Sequence, residues 1–256
     1  MGRTDSKPRF DQEYSSLVRE FRRQAQSEGS VYLPTVQPTG QVDFVFIGME
    51  PSLRHWARTR EDAEEKIGRG FKDFAFSVGD FVLHHCIRQY LCREHGSSYH
   101  ITNLSKGAMT VREADRNREC RYKQWLELLE RELRIVKKET ARVVAIGKSV
   151  RAFLESNGFS NIYTVLHYSQ RAARYRTTWI EWDRDAFESF RQQTSSREII
   201  ATAKSVTRHA RMDWDLTSPS LRRLESRDLT DSQKALMFGY QRYFTEKLSG
   251  PVSDLR

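Results

Sequence analysis

Four short apolar runs, separated by stretches with helical periodicity, constrain this chain most. The runs are residues 42–47, 98–102, 141–146 and 161–166. Residues 42–47 are continuously apolar but for Asp43, as in a strand buried on both faces of a parallel sheet. Between them lie helical patterns at residues 73–94, 117–138 and 148–157, the last closed by Gly158. In residues 117–138, Trp125, Leu128, Leu129, Glu132, Leu133 and Val136 trace one mostly apolar stripe. Strands alternating with helices predict a parallel sheet with helices on both faces.

A further amphipathic helix is expected over residues 11–29, from Tyr14, Leu17, Val18 and Phe21, and another over residues 179–190. Beyond a polar hinge at residues 191–196 the strand patterns stop. Residues 198–212 read as a basic helix, and Ser218-Pro219 as the N-cap and first position of a short one. Thr230 or Asp231 then caps a helix carrying Leu236, Met237, Tyr240, Phe244 and Leu248. The predicted architecture is α/β, a three-layer α/β/α core with a central four-stranded parallel sheet and a C-terminal helical appendage. Residues 1–190 form the α/β domain, and residues 197–256 a helical extension packed on it.

In open parallel sheets ligands bind beyond the carboxyl ends of the strands. Three strand ends here carry reactive polar groups. They are Gly48-Met49-Glu50-Pro51-Ser52, Thr102-Asn103-Leu104-Ser105-Lys106 and His167-Tyr168-Ser169-Gln170. A carboxylate, a carboxamide and an imidazole are thereby expected to meet in one crevice.

The formal charge is +9 and arginine outnumbers lysine. Excess arginine favours bidentate phosphate contacts, which makes nucleic acid the natural polyanion. Cys86, Cys92 and Cys120 form neither an even disulfide framework nor a CxxC pair, as expected in a reducing cytoplasm. No run reaches the length of a membrane span, and no signal peptide is visible. Met1-Gly2-Arg3-Thr4-Asp5-Ser6 fits a loose myristoylation pattern by coincidence. Two other patterns fail. Gly147-Lys148-Ser149 lacks the first P-loop glycine, since Arg142 stands there, and the adjacent His84-His85-Cys86 point in different helical directions.

Read in order, the clusters resemble the uracil-DNA glycosylase superfamily over roughly residues 42–190, nearest the subgroup that carries an iron–sulfur cluster. The carrying segments are Gly48-Met49-Glu50-Pro51-Ser52, Phe76-Ser77-Val78-Gly79, Thr102 to Lys106, Cys120 with Trp125-Leu126, Val144-Ala145-Ile146-Gly147, and His167-Tyr168-Ser169. Each fragment alone is weak, whereas the order and spacing are fairly specific. The chain departs from the pattern in having no cysteine before Cys86 and a glycine, Gly107, after Lys106. Three thiols cannot complete a four-cysteine cluster, so none is expected, and no other metal or cofactor. Many members have His-Pro-Ser where this chain has His-Tyr-Ser.

The resemblance implies roles. Glu50 stands where relatives carry the Asp or Asn that positions water, and His167 matches the histidine that donates to the base O2 anion. Asn103 matches the base-reading amide, which pairs with uracil in one orientation and cytosine in the other. Phe76, chosen from Phe71, Phe74, Phe76 and Phe81, stacks on the flipped base, with Met49 and Ser52 completing its pocket. Ser52 occupies a position where some uracil-specific relatives place a tyrosine, which leaves room for a base larger than uracil, although many uracil-acting relatives have glycine there and the two readings weigh equally. Gln170 or Arg171 fills the duplex gap, Ser169 and the loop arginines, Arg174 and Arg176 among them, meet phosphates, and Lys106 and Lys148 meet DNA.

The expected activity is monofunctional DNA glycosylase. It removes a flipped pyrimidine, uracil or a modified cytosine such as glucosylated hydroxymethylcytosine of phage DNA, in repair or antiviral defence. The protein is expected to act on DNA as a cytoplasmic monomer, away from membranes. The alternatives are a non-catalytic nucleic-acid-binding module on the same fold, and an enzyme acting on free nucleosides.

Overall fold

The computed structural model describes residues 6–53, 56–92 and 96–249. In chain order it contains α1 (Ser6–Ser27), β1 (Val31–Tyr32), β2 (Val42–Gly48), α2 (Arg60–Gly68), α3 (Val78–Ile87) and β3 (Tyr99–Asn103). Then come β4 (Gly107–Ala108), α4 (Val111–Arg116), α5 (Arg118–Val136), β5 (Lys137–Ile146), α6 (Lys148–Ser156) and β6 (Ile162–Val165). The remaining helices are α7 (Arg184–Gln193), α8 (Ser196–Ala210), α9 (Pro219–Arg222) and α10 (Asp231–Tyr243).

The four expected strands form one parallel sheet in the order β3-β2-β5-β6. A two-residue antiparallel pair, β1 with β4, was not foreseen. Alternation from Phe44 to Ile47 sorts side chains onto two faces, and a register shift between Val42 and Phe44 turns Val42 to the side of Val45 and Ile47. Val42, Val45 and Ile47 join Leu129, Leu133 and Val136 of α5 and Val150 and Leu154 of α6 in one cluster. Phe44 and Phe46 join Phe81 of α3, Ile199 and Val206 of α8, and Tyr240 of α10 in the other. The C-terminal helices thus share one apolar core with the sheet, and the edge contact of Phe46 with Phe244 (5.9 Å) carries it past α10.

Two expected helices begin later than their patterns suggest. The one placed at residues 73–94 starts at Val78, because Ser77 and Asp80 form a reciprocal capping box that fixes the first turn there. The one placed at 179–190 starts at Arg184, capped by Asp183, whose side chain accepts from the Ala186 N–H at 2.9 Å. Trp179 instead packs against Tyr240 and Tyr243. Of the alternatives for α10, Thr230 is the cap. No helix among the described residues is long and apolar enough to cross a membrane.

The connection from β2 to β3 runs through α3 on one face, and that from β5 to β6 through α6 on the other. The sheet therefore reverses its direction of winding between β2 and β5. A crevice at such a reversal lies outside the carboxyl ends of those two strands, here at Gly48 and Gly147.

Candidate active site

Gly48 pairs in register with Asn103 across β2 and β3. A Cβ on Gly48 would stand 2.4 Å from Asn103 Oδ1 and 3.0 Å from Phe74 Cζ, so the amide and the ring close over bare backbone. The turns beyond the two strands are tied together. Leu104 N–H donates to Gly48 O at 2.9 Å and Ser105 N–H to Met49 O at 3.2 Å. Gly147 has φ +100°, which favours glycine, and a Cβ on it would stand 3.6 Å from His167 Cβ. Asn103 and His167 therefore flank the β2–β5 reversal from opposite sides.

The backbone N–H of Ser169 donates to His167 Nδ1 at 2.9 Å. The imidazole proton then belongs on Nε2, and burial pulls the group's pKa down to about 4. His167 is a neutral donor through Nε2 at physiological pH. Its ring stacks on Tyr168 at 4.7 Å, and Tyr168 in turn lies against Gly79, where a Cβ would be 2.6 Å from Tyr168 Cδ2. The Tyr168 hydroxyl hydrogen-bonds the carboxylate of Asp80 in the first turn of α3. The loop is pinned from the other side by Arg176 and Tyr240. Arg176 donates to Ser232 O (2.8 Å), Ser232 Oγ (2.6 Å) and Tyr168 O (3.1 Å), and the Tyr240 hydroxyl donates to Leu166 O (2.6 Å).

Asn103 is buried, and its Nδ2 donates to Asp73 Oδ2. Asp73 Oδ1 accepts the Phe74 N–H at 3.0 Å. Burial, helped by the like charge of Asp80, lifts the Asp73 pKa to about 7. Phe74 has φ +55°, costly for a bulky residue, and its carbonyl accepts from His84 Nε2 at 2.9 Å. The sequence pattern places Asp73 in a helix and gives it no role, and the Phe-x-Val-Gly setting of Phe76 favours that ring over Phe74. Phe76 is partly buried and meets Phe71 edge-on at 5.8 Å, while Phe74 is the ring over Gly48.

Glu50 lies two residues past Gly48, and its carboxylate turns toward α5. Oε1 accepts from Arg118 (Nη2 at 2.9 Å, Nε at 3.2 Å) and Oε2 from the Tyr122 hydroxyl. Burial raises its pKa and Arg118 opposes the rise. Met49 is partly buried against the α5–α6 side of the core. Ser52 bridges to Met109, and its carbonyl accepts from Trp56 Nε1 at 2.7 Å.

Two expected DNA contacts are corrected. Lys106 is 2 % exposed, with Nζ 2.6 Å from Glu132 Oε2 and 2.7 Å from the Asn103 carbonyl, so it is sealed in the core. Glu132, counted in the apolar stripe, is fully buried and also accepts from His100 Nε2 (3.0 Å) and Thr102 Oγ1 (2.9 Å). Arg176, expected on phosphates with the other arginines of its loop, is buried in the bonds above. By contrast, Gln170, Arg171 and Arg174 are exposed on a 3-10 turn spanning Gln170–Tyr175, and Lys148 is exposed at the start of α6. Tyr175, missed in the sequence, is the one large hydrophobic side chain exposed among the described residues, with the Arg174 guanidinium 4.7 Å over its ring.

A cleft of about 940 Å³ runs along the outer edge of β3 toward α8, and Asp73 and Phe74 are among its lining residues. Glu50, Asn103 and His167 do not line it; Asn103 and His167 lie instead at the strand-end reversal, which is taken as the candidate site on topological grounds. Comparison of the chain with protein-family models, curated proteins and solved structures returns no match.

Proposed function

We propose that this protein is a monofunctional DNA glycosylase of the uracil-DNA glycosylase type, removing a flipped pyrimidine to leave an abasic site. The observation that carries the proposal is the pairing of a neutral Nε2–H donor, His167, with an oriented carboxamide, Asn103, across the β2–β5 reversal. Breaking an N-glycosidic bond sends the electron pair onto the base and leaves positive charge on the sugar. His167 would donate to the developing oxyanion without being charged itself. Asn103 would read the Watson–Crick edge, with the Phe74 ring beside it. Glu50 would stabilise the sugar cation and orient water, which adds to C1′ and releases a proton. Arg171, Arg174 and Tyr175 give the loop after His167 a cationic and aromatic surface suited to phosphate and nucleobase.

Uracil and a modified cytosine of phage DNA are the two substrates to separate, the second belonging to antiviral defence. The test incubates the chain with each DNA and scores abasic sites. His167→Ala should lower the rate about 10²–10³-fold with the melting temperature little changed, and Glu50→Gln should also abolish most release. Abasic sites from neither DNA, or equal rates in both variants, would refute the proposal. A second reading, a DNA-binding module without catalysis, draws on the engagement of both Glu50 oxygens by Arg118 and Tyr122. It predicts salt-sensitive binding with no abasic product.

A further inference from the structure

We infer that Asp73 fixes which way round the Asn103 carboxamide faces, and that its protonation switches the pyrimidine edge the site accepts. The inference rests on the reading that Asn103 meets the base. An amide has one acceptor and two donors on two similar-looking ends, so something must orient it. A carboxylate only accepts, and Asp73 Oδ2 faces the amide while Oδ1 holds the Phe74 N–H. The Asp73 backbone is itself anchored, its N–H donating to Pro34 O at 2.9 Å. With Asp73 ionised, Nδ2 must point to it and Oδ1 must point over Gly48. Oδ1 takes no hydrogen bond from a described residue. The site then presents an acceptor and asks for a donor at the ring nitrogen N3, which uracil has and cytosine lacks.

A protonated Asp73 has an O–H to give. It would bond the amide oxygen, turn the carboxamide over and present Nδ2 donors above Gly48. The request to the base is thereby inverted, toward the unprotonated ring N3 of a cytosine, so the uracil preference should fall as pH falls. Every group facing Asp73 bears on where this happens. Asp80 from α3 adds like charge, and Tyr168 lies within its field from the loop after β6. His84 bonds the next carbonyl as a neutral ring, its pKa depressed to about 4 by burial. Lys106 opposes the rise, but its ammonium is already matched by Glu132. The balance lifts Asp73 to about 7, inside the physiological range.

Two readouts on the full chain test this. The side-chain amide protons of Asn103, identified by their loss in Asn103→Ala, should titrate between pH 5.5 and 8.5 by NMR and become pH-independent in Asp73→Asn. The ratio of release from DNA carrying uracil to DNA carrying 5-hydroxymethylcytosine should change at least tenfold over that range and be flat in Asp73→Asn. Asp80→Asn, which removes the like charge, should move the NMR midpoint to lower pH, and it decides the matter if Asp73→Asn does not fold. Asn103 signals indifferent to pH, or unaffected by these substitutions, would overturn the inference. No release from either DNA by the unsubstituted protein would overturn the glycosylase proposal instead, leaving the NMR result to judge Asp73.

Discussion

Replacing Lys106 with methionine separates a core ion pair from a DNA contact. The ammonium is 2 % exposed, the Glu132 carboxylate fully buried, and their atoms are 2.6 Å apart. Removing one partner leaves the other charge without its counter-ion in a medium that solvates it poorly, which costs about 3–5 kcal/mol. The lost bond to the Asn103 carbonyl adds about 1 kcal/mol. Against a total stability of about 5–15 kcal/mol for a typical domain, the shift should be obvious in urea denaturation. Glu132→Gln should cost a comparable amount by stranding Lys106. The double substitution Lys106→Met with Glu132→Gln removes both charges, while the introduced carboxamide still offers hydrogen-bond partners to His100 and Thr102. It should fall at least 2 kcal/mol short of the sum of the singles. A loss below 1 kcal/mol for Lys106→Met, or strict additivity, would refute the argument. If Lys106 met phosphate instead, the folded variant would show a salt dependence of DNA binding reduced by about one unit of slope.

Two further outcomes follow from the buried histidines and the loop after β6. Burial pulls His84 from 6.5 to about 4, so between those values the unfolded chain binds a proton that the fold does not. Its stabilising contribution is therefore full above pH 6.5 and declines as pH falls. The stability difference between the unsubstituted protein and His84→Gln should shrink by roughly 3 kcal/mol from pH 7 to pH 4, whatever the opposite contribution of Asp73; urea midpoints that track in parallel would contradict it. On the loop, Arg171→Ala and Arg174→Ala should each reduce the salt slope of DNA affinity by about 0.9 while leaving stability alone. Arg176→Ala should instead lower the melting temperature by undoing its bonds to Ser232 and Tyr168, and equal behaviour of all three arginines would count against the loop's assignment.

The strands were readable because each is a short apolar run closed by polar residues, and their ends carry the amide, acid and imidazole named above. What escaped the sequence was local geometry. The aromatic-rich pattern at residues 73–94 has helical spacing, yet Phe74 takes a left-handed conformation supported by Asp73 and His84, neighbours at one and ten positions. The stop signal was present as Ser77 with Asp80, a capping pair that the apolar periodicity outweighed. Lys106 misled for another reason, while Glu132 was rightly placed on the buried stripe. A charge looks like surface until its partner is known, and the partner lies 26 positions away on a different element. The same holds for Arg176, whose partners on α10 come 56 positions later.

The face of the sheet that carries Phe46 is roofed by Tyr240, Phe244 and Leu248. These residues are made about two hundred positions after the strand they cover. At about 5–20 residues per second, this part of the cover follows the strand by roughly ten to forty seconds, after α3 and α8 have supplied the rest. The aromatic layer over Phe46 is therefore completed only as the chain from Tyr240 to Leu248 is made, so a truncation before residue 231 would leave Phe46 without Tyr240, Phe244 and Leu248.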